Sequence, residues 1–220
     1  MSVSIQSNLL KNLFTNVYFI NGTAYAGKST MAKMLAEKHG GICCGENYHS
    51  TLMGLIDVEH QPNLSYFDTM RDWQEFVNRT PEEYDAWISG SSRESEQLEL
   101  LLLIRLTAEG KKIFVDTNIH IDTLWKISDR NHVAIMLAPQ STSVDRFFDR
   151  SDPDKQFLLR QIDAAEDPEK TMQNFRACIA KINSQEKYDT FANSGFFTLV
   201  RDNARTPEQT LEILEKHFGL

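Results

Sequence analysis

Short apolar runs alternate with longer amphipathic segments along this 220-residue chain. The runs are of strand length and mostly apolar throughout, which is typical of parallel strands buried on both faces. They predict five buried strands, at 17–20, 40–45, 111–116, 132–138 and 196–200. The longer segments between these runs predict helices.

Apolar residues recur at helical spacing in the segments between the strands. Met31, Met34 and Leu35 share one face of a predicted helix over 29–39. Residues 47–79 have a mixed pattern, which predicts two helices joined through the segment EHQPNLS. The other helices are predicted to begin at Thr80, to cover about 92–109 and 121–129, to fill most of 140–187 and to begin again at Thr206. Both threonines precede a proline and, three residues on, a glutamate or glutamine, which is a helix-start signature.

Buried strands separated by helices indicate an α/β fold with a parallel sheet that is covered on both faces. The sequence contains no internal repeat, low-complexity tract or visible linker, and its length is at the upper end of what one domain usually holds. We therefore predict a single domain over residues 1–220.

Composition and charge narrow the classes of partner. The formal net charge is −8 and the pI is about 5.3, which disfavours nucleic acid as the main partner, because proteins that grip many phosphates usually have a basic face. No run approaches 18 apolar residues, so we expect no membrane span, and the first residues have no signal-peptide pattern. The adjacent Cys43 and Cys44 are interpreted as small apolar strand residues. With Cys178 they show no metal-ligand spacing, which is typical of the reducing cytoplasm, where we expect the protein to be located.

The clearest chemical signal lies between the first strand and the first amphipathic helix. The sequence G-T-A-Y-A-G-K-S matches the Walker A pattern, because glycine, lysine and serine occupy its fixed positions. A loop whose N–H groups surround phosphate oxygens needs glycine at its ends, and the helix that follows turns its positive dipole end toward the same anion. The lysine supplies a positive charge and the serine a hydroxyl for Mg²⁺. The residues predicted to contact the nucleotide are Gly22, Thr23, Ala24, Tyr25, Ala26, Gly27, Lys28, Ser29 and Thr30.

With this motif near the N-terminus, five predicted strands and an arginine-containing segment after the fourth strand, the chain resembles the small P-loop kinases, such as nucleoside monophosphate kinases and shikimate kinases. The resemblance implies a three-layer α/β/α P-loop NTPase fold with a helical lid, and ATP and Mg²⁺ as cofactors. It also implies an acceptor-binding helical region at about 47–93 and a lid at about 143–161. An N-K-x-D guanine motif is absent, which disfavours GTPases, and the length disfavours large AAA-type and transporter ATPases.

The resemblance gives roles to acids at the ends of the second and third strands. Glu46, in GENYH, would face the acceptor as a general base or as a group that orients Mg²⁺; a helix cap is the alternative. His49 is a further candidate, with a structural role as its alternative. Asp116 takes the Walker B position and would hold Mg²⁺, unless it is a cap at the strand end. The Thr117-Asn118 that follows resembles polynucleotide-kinase-like proteins and departs from the D-G-x-P-R of adenylate kinases and the G-G-G of shikimate kinases.

Positive charges in the predicted lid complete the candidate site. Arg146 and Arg150 are four residues apart, so on a helix they would share a face and could close over the transferring phosphoryl group. Lys155 and Arg160 would belong to the same cluster, although neighbouring aspartates allow a solvated, ion-paired face instead. Candidates for the acceptor pocket are Tyr48, Arg71, Trp73, Arg79, Trp87 and Arg93, although Trp73, Phe76 and Trp87 are predicted to pack rather than to stack on substrate. Residues 201–205 lie where such kinases contact the adenine through backbone groups.

These features predict an ATP- and Mg²⁺-dependent phosphotransferase whose acceptor is a small molecule, such as a nucleotide, a nucleoside or a small metabolite. Two alternatives stay open. One is a polynucleotide-kinase-like or toxin-like phosphotransferase, and the other is a nucleotide-binding switch that transfers nothing. The sequence does not decide between ATP and GTP, or between a monomer and a homodimer.

Overall fold

A computed structural model of the chain describes residues 4–139, 147, 153–202 and 204–220. Arg146 and Arg150, the two arginines predicted for the lid, lie outside the described residues. The five predicted strands are present and form one parallel sheet in the order β2-β3-β1-β4-β5, which confirms the α/β class. The strands are β1 Val17–Gly22, β2 Ile42–Cys44, β3 Ile113–Asp116, β4 Val133–Leu137 and β5 Phe197–Val200.

Helices connect the strands, and most of those in the described residues lie where helices were predicted. The α-helices of the described residues are α1 Ser7–Leu13, α2 Lys28–His39, α3 Tyr66–Thr69, α4 Trp73–Val77, α5 Pro81–Thr107, α6 Ile121–Ile127, α7 Pro153–Asp163, α8 Pro168–Ile182, α9 Gln185–Ala192 and α10 Pro207–Phe218, with 3₁₀ helices at Tyr48–Leu55 and Arg130–His132. The helix predicted over about 92–109 is present, but it is continuous with the helix predicted to begin at Thr80, because α5 runs without a break. Residues 47–79, where two helices were predicted, contain a 3₁₀ helix and two short α-helices. Gly90 does not end the helix; a Cβ there would lie 2.5 Å from the Asn63 side chain, so the glycine permits close packing.

The chain forms two compact units. The first comprises Met1–Gly54, Ser95–Ala138 and Asp189–Leu220, and it contains the whole sheet and the predicted phosphate-binding loop. The second comprises Leu55–Glu94 and Pro139–Tyr188, and it contains most of the region predicted to bind the acceptor. That the whole chain acts as a single domain stays a prediction.

The sheet of the first unit is buried at its centre and more exposed at its edges. Strands β1, β3 and β4 are buried throughout. Side chains of β1 alternate between two faces: Tyr18 and Ile20 join a core cluster with α2 and α10, whereas Phe19 contacts Phe14. In the edge strands, Cys43 and Val200 are exposed, so the prediction of five fully buried strands was wrong for β2 and β5. An edge strand has a neighbour on one side only.

The second unit has an aromatic core of its own. Phe76 is 2% exposed and contacts the rings of Tyr84, Trp87 and Phe175. Trp73 and Trp87 are partly buried against the same core, in agreement with a packing role. In neither unit do the described residues include a helix that is both long enough and apolar enough to cross a membrane.

The strand order predicts a crevice at the carboxyl ends of β1 and β4, which are neighbours in the sheet. After β1 the chain continues to β2, on one side of this pair, whereas after β4 it continues to β5, on the opposite side. Connections that diverge from adjacent parallel strands leave a crevice outside their carboxyl ends, where open α/β sheets bind ligands. The segment Gly22–Ser29 begins at this point.

Candidate functional site

The loop between β1 and α2 adopts a backbone that few residues tolerate. Gly22 and Gly27 have φ angles of 129° and 95°, in the range that favours glycine. A Cβ on Gly22 would also lie 1.9 Å from the carbonyl oxygen of Met136, so only glycine fits there. Tyr25, with φ 64°, is one of two non-glycine residues with positive φ in the described part of the chain. The loop is therefore tight and bounded by a glycine at each end.

Contacts with β4 hold the loop in place, and its open end is the start of a helix. The N–H of Thr23 donates to Met136 O at 3.0 Å, and its hydroxyl accepts from Ala138 N at 2.7 Å. Helix α2 starts at Lys28, directly after Gly27, and no side chain caps its first turn. The N–H groups of a first helical turn have no partner within the helix, so this end of α2 offers donors and positive potential at the loop.

Three residues predicted for the site converge where the loop meets the end of β3. Lys28 Nζ donates to Thr23 O at 3.2 Å and lies 3.9 Å from Asp116 Oδ1. The Ser29 hydroxyl donates to Asp116 Oδ2 at 2.5 Å. Burial raises the pKa of Asp116, whereas Lys28 and the hydroxyl of Ser29 lower it and the carboxylate of Glu46 raises it further. Of the four residues, Asp116 is the most deeply buried, at 3% exposure.

Glu46 lies on the surface at the turn that follows β2. Asn47, the next residue, has a φ of 60°, and the turn closes through Tyr48 N, which donates to Gly45 O at 3.1 Å. Two N–H groups after Glu46, those of Tyr48 and Ser50, bond to the backbone oxygens of Gly45 and Asn47 rather than to its carboxylate. Because β2 and β3 pair in parallel, with Cys44 opposite Val115, Glu46 and Asp116 follow or end neighbouring strands on the same side of the sheet.

Glu99, on α5, links the segments that follow β2 and β3. It is 1% exposed and accepts a hydrogen bond of 2.5 Å from the hydroxyl of Thr117. His49 is turned inward rather than toward solvent; its Nδ1 lies 3.7 Å from Glu99 Oε1 and has no hydrogen-bond partner among the described residues. Burial raises the pKa of Glu99 to about 7, although the hydroxyls of Thr117 and Tyr48 lower it. Burial also lowers the pKa of His49.

A second carboxylate of α5 holds the next part of the β3 loop. Glu96 Oε2 accepts from the N–H of His120 at 2.9 Å and lies 2.7 Å from the His120 ring Nδ1, while Oε1 accepts from Thr123 at 2.7 Å. Burial raises the pKa of Glu96, but these bonds outweigh it and the net pKa is lowered. The same loop is tied to β1, because Asn21 Nδ2 donates to Ile119 O at 2.7 Å. The loop after Asp116 is therefore anchored from β1 and from α5.

A cavity of about 280 Å³ adjoins the loop within the first unit. Ala26, Gly27 and Thr30 lie on one side of it, and residues at the end of β5 lie on the other. Its remaining lining residues are Met31, Met136, Leu199, Val200, Arg201, Asp202, Arg205, Pro207 and Thr210. The lining thus combines apolar side chains with the charged residues Arg201, Asp202 and Arg205.

The other basic candidates make local contacts in the second unit. Arg71 pairs with Glu75 at 3.0 Å, and the guanidinium of Arg79 lies 3.8 Å from the centre of the Tyr66 ring. Lys155 and Arg160 lie over the rings of Phe147 and Phe157, at 4.6 and 5.8 Å. Arg93 is exposed. These contacts assign none of the five to a phosphate, and their roles in the acceptor pocket or the lid stay predictions.

Asn21, Glu96 and Glu99 were not among the residues predicted for the site. A signal existed for the two glutamates: they lie three residues apart on the helical stripe that also contains Leu103, a fully buried residue. An acid at a core position needs a specific partner, and that requirement points to a site.

The chain was compared with family models, with curated proteins and with solved structures, and it matches none of them.

Proposed function

We propose that this protein is a Mg²⁺-dependent phosphotransferase that transfers the γ-phosphoryl group of ATP to a small-molecule acceptor, on a three-layer α/β/α P-loop fold. The observation that carries the proposal is the glycine-bounded loop at the carboxyl end of β1, which leads into an uncapped helix start with Lys28 and Ser29 next to Asp116. Core side chains on both faces of β1 support the three-layer arrangement.

The loop fits a polyphosphate in shape and in charge. The close approach of Gly22 to Met136 leaves no room for a side chain, and the first turn of α2 offers N–H donors without a capping side chain. Lys28 Nζ donates to the loop carbonyl of Thr23 and lies 3.9 Å from Asp116 Oδ1. Its ammonium group is thus held at the loop, where it would neutralise phosphate oxygens.

The hydroxyl of Ser29 and the carboxylate of Asp116 fit Mg²⁺, which prefers oxygen ligands and is usually held by one or two carboxylates together with substrate phosphates. The described residues contain no cluster of three His, Cys, Asp or Glu side chains suited to a metal ion. Bound Mg²⁺ supplies charge that polarises phosphoryl oxygens. Glu99, through Thr117, and Asn21, through Ile119, fix the segment that follows Asp116 and so orient its carboxylate.

The cavity beside the loop supports a nucleoside as the group attached to the phosphates. Met31, Met136 and Leu199 are apolar lining residues that suit the faces of a base, and Arg201, Asp202 and Arg205 add charged groups. Glu46, exposed just after β2, the strand that pairs with β3, would take the proton of the acceptor hydroxyl. Arg146 and Arg150 stay predicted lid residues.

The experiment compares the wild-type protein with Asp116→Asn and with Asp122→Asn, a surface control whose residue pairs with Lys126. Each is incubated with MgATP or MgGTP and a panel of nucleosides, nucleotides, sugars and small hydroxy acids, and products are identified by mass spectrometry. We expect a raised melting temperature with nucleotide and a phosphorylated product for the wild type. Asp116→Asn should lower turnover by roughly 100-fold or more and abolish the gain in nucleotide affinity that Mg²⁺ gives.

Several outcomes separate the proposal from its alternatives. Slow hydrolysis without any phosphorylated acceptor would favour the nucleotide-binding switch, and phosphorylation of a 5′-hydroxyl oligonucleotide would favour the polynucleotide-kinase-like reading. If neither nucleotide raises the melting temperature and no product forms, the proposal is wrong. Equal turnover by Asp116→Asn and Asp122→Asn would remove Asp116 from the site.

A further inference from the structure

Arg201 joins the end of β5 to the loop that follows β1. Its Nη1 donates to the carbonyl oxygen of Tyr25 at 2.5 Å. Its own N–H donates to Leu137 O at 2.7 Å, which continues the pairing of β5 with β4 and fixes the Arg201 backbone. The side chain thus starts from a fixed point on the sheet and ends on the middle of the loop.

Arg201 contacts Tyr25, the non-glycine residue of the loop whose backbone angle is unfavourable. Tyr25 has a φ of 64°, a left-handed conformation that an L-residue with a large side chain disfavours. Gly22 and Gly27, at the two ends of the loop, adopt positive φ without that penalty. A hydrogen bond from a cationic donor to the Tyr25 carbonyl favours the conformation in which that carbonyl points toward β5.

Peptide geometry connects this contact to phosphate binding. The peptide group is planar and trans, so the carbonyl of one residue and the N–H of the next point in opposite directions. With the Tyr25 carbonyl drawn toward Arg201, the N–H of Ala26 faces the other side of that peptide. Ala26 is also buried, at 3% exposure, so a rotated peptide could not simply exchange its partner for solvent.

Arg205 provides a contrast in the same segment. It pairs with Asp202 at 2.6 Å and donates to the carbonyl oxygen of Val200, so its contacts stay within its own turn. Both arginines line the cavity beside the loop. Only Arg201, of these two, contacts the loop itself.

We propose that Arg201 is a positioning residue for phosphate binding: it holds the 25–26 peptide of the loop in the orientation that presents the Ala26 N–H to a phosphate. This inference rests on the proposed function, because it gives the loop a polyphosphate to bind. It assigns Arg201 to the phosphates rather than to the base.

The test measures the affinity of three probes by titration calorimetry: the Mg²⁺ complex of ATP or GTP, whichever binds more tightly, the matching nucleoside, and inorganic tripolyphosphate. In Arg201→Ala, the affinities for nucleotide and tripolyphosphate should fall roughly tenfold, the effect of losing a hydrogen bond to a charged group. The affinity for the nucleoside should change much less. A general structural defect would weaken all three probes alike.

Three variants serve as controls. Arg205→Ala should change the affinities for nucleotide and nucleoside by the same factor and leave that for tripolyphosphate close to wild type. Arg201→Lys, which keeps the charge and one donor, should recover part of the tripolyphosphate affinity. In a Tyr25→Asn background the Arg201→Ala effect should shrink, because asparagine adopts the left-handed conformation more readily. Melting temperatures of the variants verify folding.

The outcomes separate this inference from the proposed function. If the wild type binds neither nucleotide nor tripolyphosphate, the phosphate-binding role of the loop is wrong and the role of Arg201 falls with it. If the wild type binds them but Arg201→Ala binds all three probes as the wild type does, or loses affinity for all three by one factor, only the inference about Arg201 is wrong.

Discussion

The loop after β1 and the loop after β3 both follow the carboxyl ends of neighbouring parallel strands, but different interactions determine their conformations. The first obtains its shape from backbone angles at Gly22, Tyr25 and Gly27, within six residues of sequence. The second is held by side chains from distant parts of the chain, because Thr117 bonds to Glu99 and Ile119 to Asn21. The residues that mark the first loop are therefore contiguous in the sequence, whereas the contacts that hold the second loop join residues that are far apart in the sequence.

The two loops also differ in charge. The first presents N–H donors and the ammonium group of Lys28, whereas the second follows a buried acid, Asp116, and rests on two more, Glu96 and Glu99. Donors at one loop and acids at its neighbour suit a polyanion and a cation that bind side by side. The comparison predicts that damage to the first loop is steric and damage to the second is electrostatic.

The largest effect is expected at the first loop. In Gly22→Ala the new Cβ would lie 1.9 Å from Met136 O, and the φ of 129° is also unfavourable for alanine. Because β1 and β4 are central strands, the clash cannot be relieved without moving the sheet. We expect the free energy of unfolding to fall by more than about 4 kcal/mol, measured by urea denaturation.

Gly54→Ala is the matched control, because a Cβ at Gly54 meets nothing within 4 Å. It should change the free energy of unfolding by less than about 1 kcal/mol. If Gly22→Ala is as stable as this control, the loop is not fixed by close contact with β4, and the comparison between the two loops fails.

The sequence predicts the first loop well because the residues that mark it are contiguous, although its contacts with Met136, Ala138 and Arg201 are not. Glycines, lysine and serine appear at fixed spacing, and the strand before them and the helix after them are marked by apolar periodicity. The helix starts at Thr80 and Thr206 are equally local, and both capping boxes are present. The existence and position of all five strands follow from the same kind of signal.

What the sequence does not predict depends on contacts between distant residues. The strand order decides that β2 and β5 are edges, and this exposes Cys43 and Val200. The close packing of Gly90 against the Asn63 side chain joins residues 27 positions apart and has no local signal. The inward turn of His49 depends on Glu99, 50 residues away along the chain, and no local pattern connects the two.

The second largest effect is expected at Glu99, and its cause is electrostatic. Its pKa is raised from the ordinary value of 4.5 to about 7, so the folded state holds a proton that the unfolded state releases. Between those values stability falls as the pH rises, and the difference corresponds to about 3 kcal/mol. Glu99→Gln keeps an acceptor for Thr117 and removes the ionisation. Relative to the wild type it should therefore gain up to about 3 kcal/mol between pH 5 and pH 8.

Urea denaturation across this pH range measures the difference between wild type and variant. Titratable groups around Glu99 are His49, Tyr48, Glu96 and Asp116, and all of them are kept in the variant. Glu109→Gln, at an exposed position, should show no such dependence. Parallel curves for wild type and Glu99→Gln would mean that Glu99 is ionised in the folded protein throughout.

The smallest effect is expected at Glu96, which lies one helical turn before Glu99. Its pKa shift, and therefore its effect on the pH dependence of stability, has the opposite sign. Its pKa is lowered, because the bonds from His120 and Thr123 outweigh the effect of burial. A carboxylate with a lowered pKa adds stability above its unfolded-state pKa, and that stability is lost as the pH falls. Glu96→Gln should therefore cost about 1 kcal/mol at pH 7, the usual effect of weakening hydrogen bonds to a charged group.

As the pH falls below the ordinary glutamate pKa of 4.5, the stabilisation from the ionised Glu96 is lost, so the difference between wild type and Glu96→Gln should shrink, whereas Glu99→Gln should differ most at high pH. The two glutamines thus form a matched pair on one helix face, with opposite pH dependence and the same change of side chain. If both variants respond to pH in the same direction, the loop after β3 is not held by one ionised and one protonated acid. The proposed electrostatic difference between this loop and the loop after β1 would then be wrong.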